Sequence, residues 1–186
     1  MKAELENGME KLREELRQAT ARAQRLASSI EEGRWSRTPE NGGWSAAECL
    51  VHLNLTTEQF LPLIREQLRR GREQGARQVG PYRKDLIGRL LAWIVEPPVR
   101  RMRVKTATAF VPVAASKEKV LARFGELQSE LEAEMTVAEG LDLNRLKITS
   151  PFNSRVRYNL FSCFAILTAH QRRHLWQAER AAGQGL

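Results

Sequence analysis

Three histidines are all that this 186-residue chain contains, and two of them, His170 and His174, stand four apart in the stretch FAILTAHQRRHLWQAER, residues 164–180. Residues four apart on an α-helix share one face, with Cβ atoms about 5–6 Å apart. Two imidazoles so placed can chelate a single metal ion, as the paired histidines of zinc-protease helices do. Spacing alone is a weak signal, but the helical phase strengthens it. Leu160, Phe164 and Leu167 form an apolar stripe that His170 or Gln171, His174 and Ala178 continue. His52 falls on the inward face of another helical stretch, one turn after Cys49 and one turn before Thr56. Backbone carbonyls and water would account for one buried histidine. When all three histidines of a chain face inward, a shared metal is the stronger reading, because burying them without partners is costly.

Two neighbours of His52 invite the same chemistry. Cys49 stands at a spacing from which a thiolate reaches the same ion, which would close the site; a small core residue is the preferred reading. Glu48 follows Ser45 by three residues and is explained by a capping box. Cys163, two turns before His170, reads as packing. Two cysteines make no disulfide framework. The charged start MKAELENGMEKLREEL has no apolar signal-peptide core. The apolar runs LLAWIV and FAILTA are too short to span a bilayer. A cytoplasmic protein with reduced thiols is expected.

The elements that must position the histidines follow from periodicity. Leu5, Met9, Leu12, Leu16, Ala19, Ala23, Leu26 and Ile30 alternate spacings of four and three, which predicts a long helix over 2–32 ended by Gly33. A second helix starts at Ser45 as N-cap, carries Cys49, His52, Leu53, Thr56, Phe60, Ile64 and Gln67 inward, is expected to kink at Pro62, and closes at Gly71. The stretch DLIGRLLAWIV reads as a short apolar helix stopped by Pro97–Pro98. With Trp93 and the basic cluster after it, it could lie on an anionic membrane surface or pack in a homodimer interface, and a cap over a bundle end is the preferred placing. VRRMRVKTATAFVPV reads as extended or irregular. From Ser116 a third long helix carries Val120, Phe124, Leu127, Leu131 and Met135 inward. A linker with turn residues leads to a last helix beginning near Tyr158 or Asn159. No strand pattern is evident. The expectation is an all-α fold in one domain, 1–186: a four-helix bundle with an irregular basic crossover that contains a short extra helix.

Charge is unevenly placed. Residues 65–105 hold twelve basic side chains against four acidic, which accounts for the whole formal excess of +8. Such a segment suits nucleic acid, an anionic membrane surface or an anionic substrate, and equally a solvated face. No recognition-helix, zinc-finger or stacking motif accompanies it, which disfavours nucleic acid. Its arginines could hold the carboxylates of a substrate, although a solvated surface is the simpler role for most of them.

The stretch WSAAECLVHL, Trp44–Leu53, resembles the DinB-like (DinB/YfiT) family, whose second helix opens with Trp-Ser and carries a ligand histidine shortly after. HQRRHLWQAER resembles that family's final helix, and SPFNSRVRYNLFSCFAILTAH its usual run-in. The resemblance implies a four-helix bundle of about this length and makes His52, His170 and His174 the metal ligands. Arg173 and Gln177 match frequent positions of that last helix without an assigned chemistry. It further implies activities such as thiol-dependent transfer with bacillithiol, mycothiol-dependent isomerisation, or hydrolysis, and a homodimer.

Three imidazoles from two helices leave one side of a metal open, which is the catalytic rather than the closed structural arrangement. The leading expectation is therefore a metal-dependent transferase or hydrolase that activates a thiol or water against an unknown small molecule, for which an anionic one is a candidate. Zinc and nickel lead as the metal, with iron and manganese compatible, and a low-molecular-weight thiol is the expected second cofactor. The alternative is a non-catalytic helical binding protein whose segment 65–105 contacts nucleic acid or an anionic membrane.

Overall fold

The computed structural model describes residues 2–40, 42–78, 81–97, 110, 112 and 115–183, with the side chains of all of these except 2–7 and 32. Its elements are α1 (Lys2–Ser29), α2 (Glu32–Trp35), α3 (Ala46–Glu73), α4 (Leu86–Val95), α5 (Lys117–Val137), β1 (Lys147–Ser150), β2 (Asn153–Asn159) and α6 (Leu160–Ala181). The four long helices pack side to side in the cyclic order α1, α5, α3, α6. That is the expected four-helix bundle. The stretch read as extended or irregular lies outside the described residues except at Phe110 and Pro112, as do Arg100, Arg101, Arg103, Lys105 and the Leu5 side chain.

The apolar stripes fill the core as their periods require. Met9, Leu12, Leu16, Ala19, Ala23, Leu26 and Ile30 of α1 are all buried, and full burial of one leucine contributes about 1.5–3 kcal/mol. Helix α1 stops at Ser29 rather than at Gly33, which lies inside the single turn α2 that carries Trp35 into the core. Ser45 caps α3 reciprocally: its Oγ accepts from the Glu48 amide at 3.2 Å, and the Glu48 carboxylate accepts from the Ser45 amide at 2.8 Å. The helix runs unbroken through Pro62 and past Gly71 to Glu73. Gly71 is needed for packing, since a Cβ there would lie 2.8 Å from Leu146 Cδ1. The chain leaves this helix through Gly75, whose backbone is left-handed at φ +60°.

A small sheet departs from the helical expectation. Strands β1 and β2 form an antiparallel hairpin that pairs Lys147 with Asn159, Ile148 with Tyr158 and Thr149 with Arg157. Its burial alternates, with Ile148 and Ser150 in and Lys147 and Thr149 out. Four residues are too few to display a period of two against the helical stripes around them. The hairpin delivers the chain into α6, whose N-cap Asn159 accepts from the Ser162 amide at 2.8 Å.

Helix α4 is not a cap over the bundle end. It lies alongside α6: Gly88 sits against Ser162, Arg173 donates to the Ile94 carbonyl at 3.1 Å, and Arg172 forks onto Glu96 at 2.7–2.8 Å. Asp85 anchors its start. The carboxylate accepts from the Gly88 amide at 2.9 Å, the Asn159 amide at 2.8 Å and the Lys147 ammonium at 2.9 Å.

Two apolar clusters make the core, and a polar level separates them. One gathers Leu26, Cys49, Leu53, Phe124 and Leu175; the other gathers Leu16, Phe60, Leu131, Leu160 and Leu167. Between them Gln128 of α5 and Gln171 of α6 exchange amide hydrogen bonds at 3.1 and 2.6 Å across the bundle's diagonal.

Candidate metal centre

All three histidines meet. His52 comes from α3, and His170 and His174 come from adjacent turns of α6. Their ring centroids are 5.0 Å apart for His52–His170, 4.5 Å for His52–His174 and 4.4 Å for His170–His174. One nitrogen from each lies within 4.8 Å of the others, and among the described residues no cysteine or carboxylate joins the group.

The ring nitrogens are unequally satisfied. His52 Nδ1 donates to the carbonyl of Phe110 at 2.9 Å, which fixes the ring and leaves Nε2 as the free lone pair. That Nε2 is 3.2 Å from Nε2 of His170. Two bare lone pairs at that distance repel unless a proton or a cation lies between them. Two imidazole nitrogens each about 2.0–2.1 Å from one ion at a tetrahedral angle stand about 3.3–3.4 Å apart, so the observed pair fits. The Nδ1 atoms of His170 and His174 are buried and have no hydrogen-bond partner among the described residues. Buried polar atoms left orphaned are rare in proteins.

Burial lowers the pKa of all three imidazoles. For His170 and His174 the lowering is large, reinforced by the neighbouring histidines and by Arg173, while for His52 the Phe110 carbonyl opposes it. The site therefore presents neutral nitrogen donors, the form that metals bind.

Aromatic rings line it. Trp44, placed immediately before the Ser45 cap, lies 4.7 Å from His52 and 5.6 Å from His174 between centroids. Phe152, at the turn of the hairpin, stacks on Phe110 at 4.0 Å and comes within 6.3 Å of His170. Neither Phe110 nor Phe152 was expected at the site, and no side-chain pattern announces a backbone carbonyl. The Trp-Ser pair before the cap was the one available signal for Trp44.

Other expected residues fall elsewhere. Cys49 lies in the apolar cluster, its thiol pushed up to about 12 chiefly by burial. Cys163 is buried in the core on the other side of the polar level. Glu48 is occupied by the Ser45 cap. Of the basic segment, Arg65 pairs with Glu130 and Glu134, and Arg69 and Arg70 pair with Glu66. The cation beside the histidines is Arg173, half-buried, with a backbone carbonyl as partner and no carboxylate among the described residues. Burial lowers its pKa as well.

A helical bundle that turns three neutral imidazoles from two helices onto one point is compatible with a metal-binding protein. The chain belongs to the DinB superfamily, which it matches over residues 15–178. No curated protein and no solved structure matches it.

Proposed function

We propose that His52, His170 and His174 hold one divalent transition metal, zinc or nickel by first preference, and that the protein is a metal-dependent transferase or hydrolase. The observation that carries this reading is the convergence of the chain's whole histidine complement, with His52 Nε2 and His170 Nε2 3.2 Å apart. A metal so held lowers the pKa of a bound water to about 7 or keeps a bound thiol as thiolate. Ligand type does not choose between the two metals, because imidazole suits both.

The chain's own residues set the conditions. Phe110 orients His52 through its carbonyl, so the donor nitrogen is presented without rearrangement. Trp44, Phe110 and Phe152 limit water around the imidazoles and offer an apolar wall to a substrate. Arg173 is a guanidinium half out of water with no carboxylate partner among the described residues, which suits a carboxylate or phosphate on a small substrate or on a low-molecular-weight thiol. Two buried free cysteines accord with work in a reducing compartment such as the cytoplasm.

Elemental analysis of gently purified protein tests the site. Wild type is expected to carry about one equivalent of metal, and His170→Ala/His174→Ala to carry none while its helical circular dichroism persists. Failure of the wild type to take up zinc or nickel on titration overturns the assignment. With metal established, Arg173→Gln is expected to keep the metal and raise KM for anionic substrates about tenfold or more. An unchanged KM removes Arg173 from the site.

A further inference from the structure

Helix α4 is built inside out. Its small residues, Gly88 and Ala92, face α6 and are buried, while its large apolar residues face solvent. Leu86 is 81% exposed, Leu90 56%, Trp93 51% and Ile87 45%. At 100° per residue these four cover one continuous arc of about a third of the helix circumference. Four of the five exposed large hydrophobic side chains found among the described residues are here. A soluble helix normally turns that arc inward.

The rim of the arc is cationic. Arg83, Lys84 and Arg89 are exposed and have no carboxylate partner among the described residues. The acids of the same stretch are already engaged, Asp85 by Lys147 and Glu96 by Arg172. A surface groove along the helix is lined by Lys11, Lys84 and Arg89 beside Trp93, and its two acids, Glu15 and Glu96, are held by Arg172. A second copy of this face, docked by a two-fold axis, would set these cations against their own counterparts. An anionic lipid surface sets them against phosphates, with the leucines and tryptophan at the headgroup boundary.

We propose that α4 is a membrane-surface helix that docks the protein, peripherally, on anionic lipid. None of the described helices is long and apolar enough to cross a bilayer, so the helix lies on the surface with the bundle held above it.

Vesicle flotation tests this with the full chain, at low salt, on phosphatidylcholine vesicles with and without about a third phosphatidylglycerol. Wild type is expected to float only with the anionic vesicles and to be released by salt. Each basic side chain near such a surface contributes about fivefold in affinity, so Arg83→Gln/Lys84→Gln/Arg89→Gln is expected to weaken binding on the order of a hundredfold. Leu86→Gln/Leu90→Gln/Trp93→Gln is expected to weaken it at least about tenfold. Both variants change outward side chains, and an unaltered thermal melt confirms that the fold persists. Absence of flotation by wild type refutes the proposal. So does a triple apolar variant that binds as well as wild type, which reduces the effect to charge alone. A wild-type dimer that this variant turns into a monomer, without any vesicle binding, assigns the face to a second copy instead. Binding to duplex DNA but not to vesicles likewise overturns it.

Discussion

Gly88→Ala sets two physical effects against each other. In an exposed helix the substitution stabilises by about 1 kcal/mol, because alanine loses less backbone freedom than glycine. At this position a Cβ would stand 2.2 Å from the Cβ of Ser162 and 2.0 Å from its Oγ. The obstacle is a Cβ fixed to the backbone of α6, not the tip of a flexible side chain, so α4 has to move outward by about 1 Å. Overpacking of this kind costs roughly 1–3 kcal/mol, and the immovable contact puts it at the upper end. The displacement also stretches the Ser162 Oγ contact to the Asp85 amide, now 3.0 Å. The net expectation is a loss of about 2 kcal/mol. Urea unfolding followed by circular dichroism should show a midpoint lower by about 1 M, and the melting temperature should fall by roughly 4–8 °C. Ser162→Gly in the same chain removes the obstructing atoms, and the double variant should recover most of the loss. A single variant as stable as wild type would falsify the close approach of α4 to α6, and with it the outward placing of Leu86 and Leu90.

Further consequences can be measured independently. Zinc at a hundredfold excess over its dissociation constant should stabilise the wild type by about 2.7 kcal/mol, and His170→Ala/His174→Ala should abolish that shift. In the metal-free protein the three imidazoles have lowered pKa values, chiefly through burial. The unfolded chain therefore takes up protons below about pH 6.5 that the folded chain refuses, so stability is full above that pH and declines below it, by up to about 1.4 kcal/mol per pH unit for each histidine. Urea midpoints at about pH 7.5 and pH 5.5 in a chelator should show this slope, and the double histidine variant should flatten it; equal slopes would remove the histidines as its source. Gln171→Leu leaves the Gln128 carbonyl oxygen buried without its donor and should cost about 1–3 kcal/mol. Gln128→Leu/Gln171→Leu should cost less than the sum of its parts, and strict additivity would deny the pair.

The long helices were legible because their signals are local. The Ser45–Glu48 box and the period through His52 place α3, and the α6 start was readable to within a residue at Asn159. The histidine convergence was legible for the same reason: phase along two helices points three side chains inward. What escaped depends on contacts between distant segments. His52 is oriented by a carbonyl 58 residues away, and backbone atoms carry no sequence code. Gly71 resembled a helix end, and its real constraint is Leu146. The α4 sequence is apolar almost all round, so only its neighbour α6 decides which face is hidden. Glycine and alanine win that contact because they permit the closest approach.

The separation of the histidines along the chain also sets a timetable. His52 and His170 are 118 residues apart, which at about 5–20 residues per second of synthesis is roughly 6–24 s. Between the synthesis of those two residues a nascent chain on the ribosome displays His52 without its partners. Until α6 has been made, no three-donor cluster is offered to passing ions. An ion held by the three imidazoles would therefore be chosen by the assembled bundle from the pool it meets, and not by the order in which the ligands are made.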